Sequence, residues 1–140
     1  MKFPLTFSVE NDDIVVTSAH FPELLTFGGT KQEAIANAED ALSVVLLTYI
    51  EKGLPIPDLN SHERGPNELE VFVPAQVTAK IAVIQAFNEA GISKSELARR
   101  MGVAENEARR ILDPDFGTKL DKLDDAMRAM GEHLEVRRVA

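Results

Sequence analysis

The spacing of apolar residues changes period along this chain, and the changes mark its elements. Phe3, Leu5, Phe7 and Val9 alternate with Pro4, Thr6 and Ser8, the period-two pattern of a half-buried strand. Asn11, Asp12 and Asp13 supply turn chemistry, so residues 14–17 read as the returning strand of a hairpin. Phe21-Pro22-Glu23 interrupts the pattern, and residues 24–27 predict a third short strand. After Gly28-Gly29 the period becomes helical. Ala34, Ile35, Ala38, Ala41, Leu42, Val45, Leu46 and Tyr49 recur at spacings of three and four. Thr30 with Glu33 forms a capping box at the start, and Gly53 followed by Pro55 and Pro57 stops the helix. So broad a stripe demands a sheet to lie against. Residues 58–67 are polar and read as a loop, and residues 68–73 predict a fourth strand ending at Pro74. Residues 1–74 thus give β-β-β-α-β, with the helix covering one face.

Beyond Pro74 the period stays helical. Val77, Ile81, Ile84 and Phe87 form one stripe ending at Ala90-Gly91. Then comes I-S-K-S-E-L-A-R-R-M-G-V-A-E-N-E-A-R-R-I-L, residues 92–112. Ser93 and Glu96 make a second capping box, and Leu97, Ala98 and Met101 share a face. Gly102 ends that helix in a left-handed turn, with Val103 plugging the corner. A further helix turns Ala108, Ile111 and Leu112 inward and leaves Glu105, Asn106, Arg109 and Arg110 outside. This is the pattern of a helix-turn-helix, whose second helix enters the major groove while the first crosses the backbone. Thr118 is expected to cap a last helix carrying Leu120, Leu123, Met127 and Met130, closed by Gly131. The L-A-R-R-M-G-V run resembles the phage-repressor class of helix-turn-helix domains. A plain helical bundle also uses short helices joined by glycine, but it does not require outward arginines beside the turn. Residues 134–139 alternate and read as a terminal strand or a dimer contact.

Charge changes the picture. The net charge of −8 is unusual for a nucleic-acid binder. Residues 1–74, however, hold 4 Lys+Arg against 12 Asp+Glu, while residues 75–140 hold 11 of each. All of the excess acidity lies in the first half, which suits a basic partner or simply a well-solvated surface. With no cysteine, disulfides and thiolate metal sites are excluded. The N-terminus lacks the apolar core of a signal peptide and no run reaches membrane-spanning length, so a cytoplasmic protein without membrane partners is expected.

Catalysis finds little support. Two-metal hydrolysis needs convergent carboxylates, one of them normally on the first strand, and residues 3–9 contain none. His20, His62 and His133 are far apart with no metal-ligand spacing. Gly28-Gly29-Thr30 lacks the further glycines and the lysine of a phosphate loop. The expectation is a non-enzyme with neither metal nor cofactor.

The first half also resembles the HicB family of antitoxins, through F-P-E-L, T-F-G-G-T-K-Q-E-A-I-A-N-A-E-D-A-L and G-L-P-I-P. That resemblance implies an α+β protein: a partial, non-catalytic ribonuclease-H-like domain (residues 1–74), then an all-α helix-turn-helix domain (residues 75–140). It implies two partners: a small basic HicA-type toxin that cleaves messenger RNA, and double-stranded operator DNA. Glu105, Asn106 and Arg109 take the base-reading positions, where Arg suits guanine, Asn suits adenine and Glu accepts from cytosine. Lys94, Ser95, Arg110, Thr118 and Lys119 are candidate phosphate contacts. Glu10, Asp12, Asp13 and Glu23 are candidate toxin contacts, with His20 and Phe21 as anchors. Ala104 in place of a Ser or Thr cap costs the second motif helix ~1 kcal/mol, and a homodimer or dimer of dimers on a palindrome restores affinity. The competing reading is a stand-alone repressor whose first half senses a ligand or only dimerises. A nuclease reading would require Asp12, Asp13 or Asp40 to bind metal.

Overall fold

The computed structural model describes residues 1–140 as two compact units, Met1–Pro74 and Ala75–Ala140. It is a mixed α+β protein. No helix is long and apolar enough to cross a membrane.

The first unit runs β1 (Lys2–Glu10), β2 (Asp13–Thr17), β3 (Leu25–Gly28), α1 (Lys31–Glu51) and β4 (Glu68–Phe72). The strands form one antiparallel sheet in the order β3-β2-β1-β4. Asn11 and Asp12 join β1 to β2 with φ of 50° and 69°. Two consecutive left-handed residues give the turn whose twist matches a hairpin, and Asn and Asp tolerate that conformation best after glycine. Phe3, Leu5, Val16 and Val71 point to one face and are buried there, as are Ala34, Ala38, Leu42, Val45 and Leu46 of α1. Thr30 caps α1, its hydroxyl accepting from the Glu33 amide at 3.1 Å. Gly28 is required by close approach, since a Cβ there would lie 2.4 Å from the Ala34 nitrogen. β3 begins one residue later than the periodicity predicts because Leu24 turns inward, and its amide donates to the Phe21 carbonyl.

The second unit is a bundle of α2 (Ala75–Ala90), α3 (Lys94–Met101), α4 (Glu105–Ile111) and α5 (Leu120–Ala129). Ile81, Ile84, Leu97, Ala98, Ala108, Ile111, Leu123 and Met127 make its core. The expected joint between α3 and α4 is present. Ser93 Oγ accepts from the Glu96 amide at 3.0 Å, and Gly102 has φ +69°. The amides of Gly102 and Val103 return to Arg99 and Ala98. Two expectations are corrected. The cap position of α5 is Lys119, not Thr118, because the Thr118 hydroxyl is engaged inside the bundle. Residues 134–139 form no strand, since this unit has no sheet for them to join.

Candidate nucleic-acid interface and acidic face

On α4 the residues Glu105, Asn106, Arg109 and Arg110 are all exposed, while Ala108 and Ile111 on the opposite side are buried. One side of the helix is thus anchored and the other is free for a partner. Arg109 Nη2 meets Glu105 Oε1 at 2.6 Å, one turn apart. Arg109 and then the Ser95 hydroxyl hold the Glu105 carboxyl below the usual range. Ser95, Glu105 and Arg109 therefore form a chain from the start of α3 onto α4. Exposed pairs of this kind contribute little, so Arg109 can leave Glu105 for another partner at small cost. Ala104 makes no side-chain cap bond, as the sequence implies. Glu105 and Glu107 in the first turn compensate by facing the positive end of the helix dipole.

Lys94, Ser95 and Lys119 are exposed beside this surface. The Arg110 guanidinium stands 5.7 Å from the Phe116 ring centroid, and Phe116 is itself exposed. Thr118 does not belong to the surface. It is buried, its Oγ1 accepts from Lys80 Nζ at 2.8 Å and its O–H is directed to the Phe116 carbonyl at 3.5 Å, so it is turned away from any phosphate on the surface. Glu96 also departs from expectation. Its carboxylate turns to Arg99 and Arg100, at 2.7 and 3.0 Å, and does not complete a capping box. Arg99 first and Arg100 second hold that carboxyl down at about 2.

In the first unit Glu10, Asp12 and Asp13 sit together at the β1–β2 hairpin, with Glu10 and Asp12 exposed. Glu23 is exposed too, and its carboxylate accepts from the Tyr49 hydroxyl, which raises the phenol above its ordinary value. Phe21 is corrected as a surface anchor. It is wholly buried, packed edge-to-face between Phe3 and Tyr49 at 5.4 Å from each. No partner can reach it without unfolding the unit.

His20 lies in an arrangement the sequence conceals. Its ring meets His62 edge-on at 5.2 Å, across more than forty positions of chain, and His62 Nε2 contacts Glu68 Oε2 at 2.8 Å. Glu68 also accepts from the Gly65 amide, and His62 first, Gly65 second, lower its carboxyl. The cluster ties the 58–67 loop to β4. Lys80 is the other residue missed. It falls within the apolar stripe of α2 at helical spacing from Val77 and Ile84, and a lysine in such a stripe was the available signal.

Comparison with known proteins gives matches to both units. A family model described as HicB-like antitoxin of a bacterial toxin-antitoxin system matches residues 2–82. The chain is 34% identical over 136 residues to Antitoxin HicB 2 of Photorhabdus laumondii, covering 97% of this chain and 95% of that one. It is 33% identical over 140 residues to Antitoxin HicB of Escherichia coli K12, covering 97% and 98%. This chain belongs to the HicB-like antitoxin family. A second family model, the CENP-B N-terminal DNA-binding domain, matches residues 77–115 of this HicB-like antitoxin. That segment contains most of α2 and all of α3, the turn and α4.

Proposed function

We propose that this antitoxin divides its work between its units: the first neutralises a small basic HicA-type toxin, and the second represses its own operon. The observation that carries the second role is the exposed Asn106, Arg109 and Arg110 face of α4, set on a capped α3 and a left-handed Gly102 turn. The match to a DNA-binding family over the same helices supports it. Asn106 addresses adenine and Arg109 guanine, while Lys94, Ser95, Arg110 and Lys119 meet phosphates. One α4 reads one half-site, so a homodimer or dimer of dimers in the cytoplasm reads a palindrome.

The first role rests on the excess acidity of residues 1–74 and on the carboxylates of Glu10, Asp12 and Asp13 at the hairpin. Such a surface competes with RNA phosphates for the toxin's basic face. The acids act by charge and catalyse nothing. The test is a full-length Asn106→Ala, Arg109→Ala variant. Losing these two contacts weakens binding to the duplex upstream of its own gene by about 100-fold or more. Rescue of cells from the neighbouring toxin gene stays at the wild-type level. Loss of both activities together refutes the division.

A further inference from the structure

Lys80 is a lysine where burial favours an apolar residue. It is 5% exposed, among the buried Ala79, Ile81, Val83 and Ile84 of α2. Its Nζ donates to the Arg110 carbonyl at 3.0 Å and to Thr118 Oγ1 at 2.8 Å. The first acceptor belongs to the last turn of α4, at the negative end of the helix dipole, and it also accepts from the Asp113 amide at 3.2 Å. The second lies just before α5, next to the exposed Lys119. One ammonium therefore spans the end of the DNA-facing helix and the loop that follows it. A methionine of similar length would avoid the desolvation of a charge, so the lysine supplies something other than packing.

We propose that Lys80 is a positioning residue for the DNA-facing surface, its buried ammonium clamping the end of α4 to the segment before α5. The proposal rests on the reading that this unit binds DNA. The clamp fixes the spacing between Arg110 and Lys119, the two cations flanking its acceptors, so that both meet phosphates of one backbone. It also places a positive charge beneath them. Asp113, in the loop after α4, is the charged group that faces the ammonium. The Arg110 guanidinium is turned to the Phe116 ring, and Glu107 of α4 pairs with Lys122 of α5 at 3.1 Å.

Burial lowers the Lys80 ammonium to about 8, against a smaller pull upward from Asp113. Phosphates arriving over Arg110 and Lys119 favour the charged form, so binding above that pH takes up a proton. Affinity then falls with rising pH, by at most about tenfold per pH unit for one proton. Folding responds with the opposite sign. Between about 8 and the ordinary value of 10.5 the unfolded chain carries a proton that the folded one has lost, so stability rises with pH. A residue needed only for folding moves affinity and stability in the same direction.

The experiment uses full-length protein and two fluorescent duplexes, the DNA immediately upstream of its own reading frame and a random sequence of equal length. Dissociation constants are measured at about pH 7 and about pH 9 at one salt concentration, with thermal melts of the same samples. Wild type should weaken about tenfold toward the higher pH while its melting temperature does not fall. Lys80→Met should melt no lower than wild type, bind about tenfold more weakly at the lower pH and lose the pH dependence. Thr118→Val, which removes one acceptor and keeps the charge, should weaken binding about threefold; it carries the test if Lys80→Met does not fold. A folded Lys80→Met, or failing that Thr118→Val, with wild-type affinity and pH profile overturns the proposal while leaving the DNA reading intact. Failure of wild type to bind either duplex at either pH overturns the DNA reading and the proposal together.

Discussion

In the first unit 12 carboxylates face 4 Lys and Arg, and the contacts there are the Lys2–Glu70 ion pair and the His62–Glu68 side-chain contact. In the second, 11 acids meet 11 bases, and Glu96, Glu105, Glu107 and Asp124 each hold a cation. The difference separates two modes of recognition. Glu10, Asp12 and Asp13 are in no ion pair, so they present a standing negative field that a basic partner meets without rearrangement. The α3–α4 surface is neutralised from within. Arg99, Arg100 and Arg109 must leave their carboxylates before they can pair with another anion, whereas Arg110 rests against the Phe116 ring. The first surface favours fast, salt-sensitive encounter, whereas the second selects for a ligand that can replace Glu105.

The largest expected effect breaks the two units apart. Phe21→Ala removes a wholly buried ring held between Phe3 and Tyr49. It should destabilise the first unit by about 3–5 kcal/mol in urea titrations. Toxin neutralisation should fail while the second unit's transition and its DNA binding persist. A common shift of both transitions would show that the units unfold as one.

Charge removal comes next. Asp12→Asn with Asp13→Asn leaves the hairpin turn its tolerated residue types and takes away two charges. Toxin association at low salt should slow about tenfold, and the difference should close toward about 1 M salt, where the Debye length is ~3 Å. Stopped-flow mixing measures it. An unchanged association rate would move the toxin contact away from the hairpin.

A smaller change sharpens the description of the second surface. Glu105→Gln frees Arg109 and removes one negative charge from the proposed DNA-facing surface. Affinity for a random duplex should rise about threefold, and the salt dependence of binding should steepen. Weaker binding to the upstream duplex alone would show instead that Glu105 reads a base.

These contrasts were legible in the sequence to different depths. Local chemistry was readable where neighbours in sequence are neighbours in space. Thr30 and Ser93 cap their helices, Gly102 takes the left-handed turn, and Asn11-Asp12 makes the hairpin. Long-range partners were not. Phe21 beside a proline looks like an exposed turn residue until Phe3 and Tyr49 close on it. Thr118 looks like a helix cap until Lys80, 38 positions earlier, claims its hydroxyl. His20 and His62 meet because the loop after α1 folds back to β4, and no spacing rule anticipates that contact. Glu96 fits two local rules at once. The bidentate arginine contact is charge-assisted at both ends and prevails over the neutral amide of a capping box.

The same Glu96 gives the smallest and most discriminating prediction. Its carboxyl lies at about 2 in the fold, below an ordinary 4.5, because Arg99 and Arg100 favour the charged form. A depressed carboxyl binds its proton less readily folded than unfolded. Its stabilising contribution is therefore complete above about 4.5 and is lost as pH falls through about 2. The group is solvent-exposed, so water and salt screen the contribution and it should be modest. Urea titrations of the second unit between those two values should show stability declining with acid. Glu96→Gln should decline less steeply and should lose part of its sensitivity to salt, the Glu105, Glu107 and Asp124 pairs remaining. In the first unit Glu68 has the same sign of shift through His62 and Gly65, so its stability also declines with acid there, and that decline is untouched by Glu96→Gln. An identical acid slope in Glu96→Gln and wild type would mean that the pairs on α3 contribute nothing to folding.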